Sequence, residues 1–328
     1  MKLATYQDGS RDGQLVVVSR DLATAHYATG VASRLQQVLD DWGFLSPQLQ
    51  DLSDALNQGG ARHTFAFDPR QCLAPLPRAY QAVEAQAYPS LLQPRETAIS
   101  PVLAPGSGDN FAGACDLLRC PSEALGIDFG AGLAAITADV PQGVTPPQAL
   151  EGVRLLVLTN SVRLRSLEAA EQAKGAGWVQ SAPMLAFSPV AVTLDELGQH
   201  GASVWDKGRV HLPLHTSWNG RKVGMCDAGP EMQFHFGQLI AHLCATRPVR
   251  AGSIVGSGPV ANAGTGTKNK AQWPKGYNSI AEKRAMEIQL NGQARTGYLQ
   301  FGDTVRIEMK ARDGLSLFGA IDQEVAPR

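Results

Sequence analysis

Seven histidines, His26, His63, His200, His211, His215, His235 and His242, are the first groups to weigh for chemistry. An imidazole changes charge near neutral pH and is the commonest metal ligand. His211 and His215 lie four apart in a strand-like stretch, where the two-residue period turns both to one face. No acid or cysteine nearby completes a ligand set, so the pair reads as part of a sheet surface. His235 and His242 flank a helical stretch and are expected to pack against it or cap it. The five cysteines, Cys72, Cys115, Cys120, Cys226 and Cys244, are widely spaced and form no C-x-x-C pair. That argues against zinc and thioredoxin-type sites and for free, mostly buried thiols. No G-x-S-x-G elbow is present to expose a serine nucleophile. Gly256-Ser257-Gly258 is not followed by the Gly-Lys-Ser/Thr that closes a phosphate loop. Residue types and spacing alone name no reaction.

The elements that would carry these residues are short. Gln14 to Val18 is a β-branched run that predicts a strand. Helical spacing follows from Val31 to Leu39, with Val31, Leu35, Val38 and Leu39 apolar. Ser46-Pro47 is expected to open a second helix on the stripe Leu49, Leu52, Ala55 and Leu56, and Gly59-Gly60 to end it. The turn-rich Pro75-Leu76-Pro77 suggests a boundary between a small α+β domain, 1–74, and a larger domain, 75–328. In the larger part, Gly132 to Val140, Val153 to Leu158, Val190 to Val192, Val210 to Thr216, Lys222 to Met225 and Thr304 to Lys310 all fit strands. Two helices are expected, over Leu164 to Ala173 and Gln233 to Cys244. The class is therefore α+β, mainly β, with a barrel or roll in place of a doubly wound parallel sheet. The stretches 89–108 and 261–276 have little pattern and read as loops, the second as a mobile loop or lid.

Composition removes several classes of function. With 328 residues, 44% hydrophobic and 18% charged, the chain is long and apolar enough for a large core and is not disordered. Its 29 Lys+Arg against 30 Asp+Glu leave a formal charge of −1, with no basic excess for nucleic acid. No apolar run approaches the roughly 18 residues of a membrane span. The first residues also lack the apolar stretch of a signal peptide. The expectation is a cytoplasmic protein without a membrane or nucleic-acid partner.

Longer motifs say more. Leu76-Pro77-Arg78-Ala79-Tyr80, Ala186-Phe187-Ser188-Pro189-Val190-Ala191-Val192-Thr193 and Asp227-Ala228-Gly229-Pro230 occur in that order. They are followed by Phe234-His235-Phe236-Gly237-Gln238-Leu239-Ile240-Ala241 and by Arg250-Ala251-Gly252-Ser253-Ile254-Val255-Gly256-Ser257-Gly258. Phe301-Gly302-Asp303-Thr304-Val305-Arg306-Ile307-Glu308-Met309 closes the series. Together these resemble the fumarylacetoacetate hydrolase family in its bacterial two-part form, over most of the chain from Pro75 onward. The resemblance implies a β-roll catalytic domain, a homodimer, and a small-molecule site that cleaves or rearranges β-dicarbonyl and 2-oxo-acid substrates.

It also implies a magnesium or calcium ion held by carboxylates, two of them from a Glu-x-Glu strand. Here Ile127-Asp128-Phe129-Gly130-Ala131-Gly132 has Gly130 and Gly132 at both glutamate positions. In Asn160-Ser161-Val162-Arg163-Leu164-Arg165, Ser161 stands at the third acid and Arg163 at a position usually small. Tyr88-Pro89-Ser90-Leu91 lacks the family histidine, Ala182 replaces the lysine, and Pro259 replaces the threonine. Asn160, Arg165, Gln180 and Glu282 survive. The expectation is a lost metal site, no cofactor, and a larger, less polar pocket. Arg163 would hold a carboxylate or enolate, and Glu282 would act as acid or base with Arg165 beside it. Asn160, Ser161, Gln180, Gly130, Gly132 and Lys283 would contact substrate. The reaction would be decarboxylation, isomerisation, dehydration or cyclisation of an enolisable substrate. Two alternatives stand beside it. One is a pseudoenzyme that binds a ligand or partner, its Glu282 and Arg165 merely bracing the fold. The other is a C–C bond hydrolase whose metal site is rebuilt from Asp109, Asp116 or Asp128. An open pocket with convergent polar groups separates an enzyme from a relic plugged by 89–108.

Overall fold

The computed structural model describes residues 1–92, 100–107, 109–175, 177–201, 204–266 and 270–328. Parts of the expected loops 89–108 and 261–276 lie outside these residues.

The N-terminal unit consists of β1 (Lys2–Tyr6), β2 (Gln14–Val18), β3 (Thr24–Tyr27), α1 (Leu35–Asp40) and α2 (Trp42–Asn57). Helix α1 begins four residues later than the periodicity predicts, and α2 begins at Trp42 with Pro47 inside it. A proline there lacks the N–H that would bond to the carbonyl of Gly43, yet the buried Leu49 and Leu56 still hold the helix. Gly59 follows in the left-handed region, which stops α2 where expected.

The larger part contributes β4 (Ala82–Ala85), β5 (Ala131–Thr137) and β6 (Val153–Leu164), which runs directly into α3 (Arg165–Ala173). It continues through β7 (Ala191–Thr193), β8 (Pro213–Trp218), β9 (Arg221–Asp227), α4 (Phe236–Leu243) and β10 (Ile254–Pro259). Helix α5 (Ile280–Asn291), β11 (Thr304–Lys310) and β12 (Ser316–Pro327) complete the framework. The fold is mixed α+β and mainly β, as expected.

One large sheet runs in the order β3-β2-β1-β7-β6-β5-β10-β4, with further short strands at its ends. Lys2 and Leu3 of β1 pair with Val192 and Ala191 of β7, so the N-terminal strands extend the main sheet. A second sheet has the order β9-β8-β11-β12 and then Leu118–Cys120.

Why β5 and β6 read as nearly unbroken apolar runs is now plain: both of their faces are buried. On β6, Leu156, Leu158 and Val162 point into one core, together with Leu214, Ile307, Met309 and Phe318 of the second sheet. Leu155 and Val157 point the other way, under Leu35, Val38, Leu39 and Leu49 of the N-terminal helices. The strand alternates between two cores instead of between core and water.

Candidate active site

The odd-numbered face of β6 buries Leu155 and Val157 at its start and presents Ser161 and Arg163 to a cavity at its end. Arg165 continues that spacing at the first residue of α3 and lines the same cavity. The cavity measures about 400 Å³ and is open. Its far wall comes from Tyr88, Ser90, Glu282 and Tyr298, and Trp178 and Pro259 add apolar surface. Among the sequence-predicted residues, Glu282, Arg163, Arg165 and Ser161 therefore meet in one place.

Glu84, which no sequence motif singled out, completes that group. It sits on β4, which pairs in parallel with β10 so that Glu84 lies opposite Gly256. Arg163 Nη2 donates to Glu84 Oε2 at 2.6 Å, and Ser161 Oγ donates to Glu84 Oε1. The Arg163 guanidinium also stacks on Trp178, 5.1 Å from the ring centre. Its Nη1 is buried and has no partner. Arg163 thus faces inward, with one hydrogen-bonding direction unspent.

The residues that follow Trp178 are held by Glu171 of α3. Glu171 accepts the Ser181 hydroxyl and the backbone N–H groups of Val179, Gln180 and Ser181. These donors, the Ser181 hydroxyl first, hold its pKa down at about 2.

Arg165 is fully committed. Its Nε donates to Asp128 Oδ2 at 2.9 Å, Nη1 to Glu168 at 2.6 Å and Nη2 to Ser279 Oγ at 3.4 Å. Burial works against its charge, but Asp128 and Glu168 outweigh that and hold its pKa above the ordinary value. Asp128 in turn accepts from Ser279 Oγ and from the backbone N–H groups of Ile280 and Ala281. A single buried carboxylate therefore ties β6 to the free N–H groups that open α5.

Helix α5 is what aims Glu282. Sequence periodicity misses this helix because its buried residues, Ile280, Ala281, Glu282 and Met286, make a weak and partly polar stripe. A usable signal was Ser279-x-x-Glu282, the spacing of a helix-opening capping box. Ser279 does accept from Glu282 N–H, but the Glu282 carboxylate turns into the cavity instead of back to Ser279. There it accepts from Ser90 Oγ and from Leu91 N–H at 3.1 Å. Burial raises its pKa above the usual carboxylate range, against the pull of Ser90, Leu91 and Arg165.

The remaining predicted residues lie elsewhere. Asn160 is on the opposite face of β6, accepting from Gly130 N–H and donating to Gln323. Gln180 is exposed, with its backbone on Glu171. Lys283 pairs with Glu287 one helical turn on, at 3.4 Å. Gly130 and Gly132 do not line the cavity, so no added space results from their lacking side chains. A Cβ on Gly130 would come within 2.9 Å of the Ser161 carbonyl oxygen, and one on Gly132 would collide with that of Gly258. These glycines allow β5 to approach its neighbours closely. Gly132→Ala is accordingly expected to cost about 1–3 kcal/mol through overpacking, measured by chemical denaturation.

Acids that might have rebuilt a metal site do not assemble. Among the described residues there is no cluster of three or more His, Cys, Asp or Glu able to hold an ion. Asp128 is occupied by Arg165 and α5, Asp116 accepts from Gly113 N–H, and Asp109 is exposed. Glu84 and Glu168 are paired with guanidinium groups. This donor set does not fit a divalent cation, which takes oxygen ligands in greater number.

Residues 1–78 match the family model of the fumarylacetoacetase N-terminal domain 2, and residues 78–326 match that of the fumarylacetoacetate hydrolase C-terminal domain. The chain belongs to the fumarylacetoacetate hydrolase family. Its fold is shared at a TM-score of 0.67 and 16% identity with a probable 2-hydroxyhepta-2,4-diene-1,7-dioate isomerase from Mycobacterium abscessus, covering 100% of this chain and 99% of that one. A fumarylacetoacetate hydrolase from Exiguobacterium antarcticum has TM-score 0.66 and 17% identity, with both chains fully covered. Maleylpyruvate hydrolase from Sphingobium sp. SYK-6, solved with manganese(II) and pyruvate, has TM-score 0.64 and 14% identity, covering 100% of this chain and 99% of that one. No curated protein sequence matches. The expectation of no cofactor is corrected by this neighbour, a maleylpyruvate hydrolase of the same fold that is described in complex with manganese(II). Among the described residues, no helix is long and apolar enough to cross a membrane.

Proposed function

We propose that this protein is an enzyme that moves a proton at the carbon next to a carbonyl in an enolisable β-dicarbonyl or 2-oxo-acid substrate. The observation that carries the reading is the pairing, in one open cavity, of Glu282 with Arg163. Glu282 is a buried carboxylate held by the Ser90 hydroxyl and the Leu91 N–H, and among the described residues Arg163 Nη1 has no partner. Structural neighbours bearing isomerase and hydrolase names support an enzyme over a binding relic, as does a cavity that remains open.

Glu282 takes the proton from the α-carbon, and the bonding pair moves to the carbonyl oxygen. The enolate oxygen then accepts from Arg163, which is fixed by Glu84 and Trp178 and needs little reorganisation. Returning the proton to a different carbon gives isomerisation. Arg165 acts as a positioning residue, since its guanidinium is spent on Asp128, Glu168 and Ser279.

The test is exchange of α-hydrogens for solvent deuterium, followed by NMR, with pyruvate and other 2-oxo acids. Catalysed exchange is expected, with Arg163→Ala raising KM and lowering kcat/KM by about 10²-fold. Binding without exchange in the intact protein would favour the pseudoenzyme. Exchange unchanged in Arg163→Ala would remove Arg163 from the mechanism.

A further inference from the structure

Charge is distributed unevenly around this cavity. Its described lining holds two arginines, three glutamates (Glu84, Glu168 and Glu282), and neither lysine nor histidine. Asp128 adds a fourth carboxylate immediately behind Arg165, 2.9 Å from its guanidinium. Arg165 is bonded on every nitrogen, to Asp128, Glu168 and Ser279. Lys283, next to Glu282 in sequence, is directed to Glu287. Among the described residues, Arg163 is therefore the guanidinium of this lining with donors to spare, since only its Nη2 is hydrogen-bonded, to Glu84. An incoming substrate finds one place for an anionic oxygen. A second carboxylate on the same molecule would face Glu168 or Glu282 with no uncommitted cation among the described lining residues, and like charges in a partly buried site repel strongly.

The rest of the described wall mixes polar side chains, Gln86, Ser90, Gln172 and Ser257 among them, with an apolar patch. Trp178, Pro259, Leu92, Tyr298 and Ala169 form that patch, and Trp178 is the ring on which Arg163 lies. A flat apolar group bound beside the guanidinium would extend an existing stack. Glu171 fixes the backbone that follows Trp178, at Val179, Gln180 and Ser181.

We infer that the substrate of this cavity carries one carboxylate or enolate, bound at Arg163, and an apolar or aromatic tail against Trp178, and that the cavity discriminates against dicarboxylates. This rests on the reading of the site given above. It separates the chain from the structural neighbour whose name specifies a dioate.

The experiment compares matched probes by calorimetry on the intact protein, with and without manganese(II). 2-Oxopentanoate and 2-oxoglutarate differ only in a terminal methyl against a carboxylate, and 4-phenyl-2-oxobutanoate adds the aromatic tail. The expected order of affinity is 4-phenyl-2-oxobutanoate, then 2-oxopentanoate, then 2-oxoglutarate, with at least tenfold between the last two. Glu168→Gln, which removes one facing charge and loosens Arg165, should narrow that gap to under threefold. Trp178→Ala should remove the advantage of the phenyl probe over 2-oxopentanoate, bringing the two within threefold of each other. Equal or tighter binding of 2-oxoglutarate, in either metal condition, overturns the inference while leaving the proton-transfer reading intact. Failure of all three probes to bind or exchange overturns both.

Discussion

Asp128→Ala is expected to destabilise the fold by about 3–5 kcal/mol, the range for breaking a buried ion pair by removing one partner. Asp128 is fully buried and accepts from four donors: Arg165, Ser279 Oγ, Ile280 N–H and Ala281 N–H. Alanine leaves the Ile280 and Ala281 N–H groups of α5 without their acceptor and Arg165 with Glu168 as its sole carboxylate. Urea denaturation measures the loss directly. The cause can be isolated with a double-mutant cycle, because part of the cost is the orphaned charge of Arg165. Arg165→Ala combined with Asp128→Ala should therefore cost less than the sum of the two single changes. Additive costs would show that the ion pair contributes nothing. Since α5 also aims Glu282, the Asp128→Ala protein that remains folded should show reduced turnover.

Glu282→Gln is expected to lower kcat for α-proton exchange by about 10²- to 10⁴-fold, the usual contribution of a positioned acid or base. The fold should survive. The carboxamide oxygen still accepts from Leu91 N–H while its NH2 donates to Ser90 Oγ, and the change removes the burden of a buried charge. The sign of that burden follows from the raised pKa of Glu282, whose first cause is burial. A buried carboxyl with a raised pKa contributes stability when protonated, below its unfolded value. That contribution is lost as pH rises through the folded pKa, so Glu282→Gln should gain slightly in stability at neutral pH. Catalysis has the opposite dependence, because a base must be ionised to accept a proton. Activity should rise with pH through a value above the ordinary carboxylate range. Ser90→Ala removes a donor that favours the charged form, so its acid limb should move to higher pH with a modest change in the plateau. A pH–rate profile of the three proteins checks this, and an unmoved limb in Ser90→Ala would remove Glu282 as the titrating group.

Much of this site was legible in local sequence, and the reasons are physical. The family motif Asn160–Arg165 named Ser161, Arg163 and Arg165, while the strand expected to end at Leu158 runs on to Leu164 and sets Ser161 and Arg163 on one face. The apolar runs of β5 and β6 were readable as strands because both faces needed burial. The family's ordered motifs led to Glu282, although its helix was missed because a buried carboxylate and an alanine make a poor hydrophobic stripe. The Ser279-x-x-Glu282 spacing would have marked where that helix starts.

Local sequence could not show which distant groups close the site. Glu84 lies 79 residues from Arg163 and reaches it through parallel pairing of β4 with β10, which leaves no periodic trace. The same holds for Ser90 on Glu282 and for Asp128 on Arg165. Gly130 and Gly132 illustrate the converse. In sequence they looked like side chains removed from a pocket, whereas packing makes them points of close strand approach. The chain alone determined its family and its mainly β class, and its motifs named Ser161, Arg163 and Arg165. Tertiary structure decided that Arg165 is spent on carboxylates, that Arg163 retains a free donor, and that Glu282 is buried without a guanidinium bonded to it. Backbone periodicity is a local property, but the pairing of charges depends on which strands and helices meet.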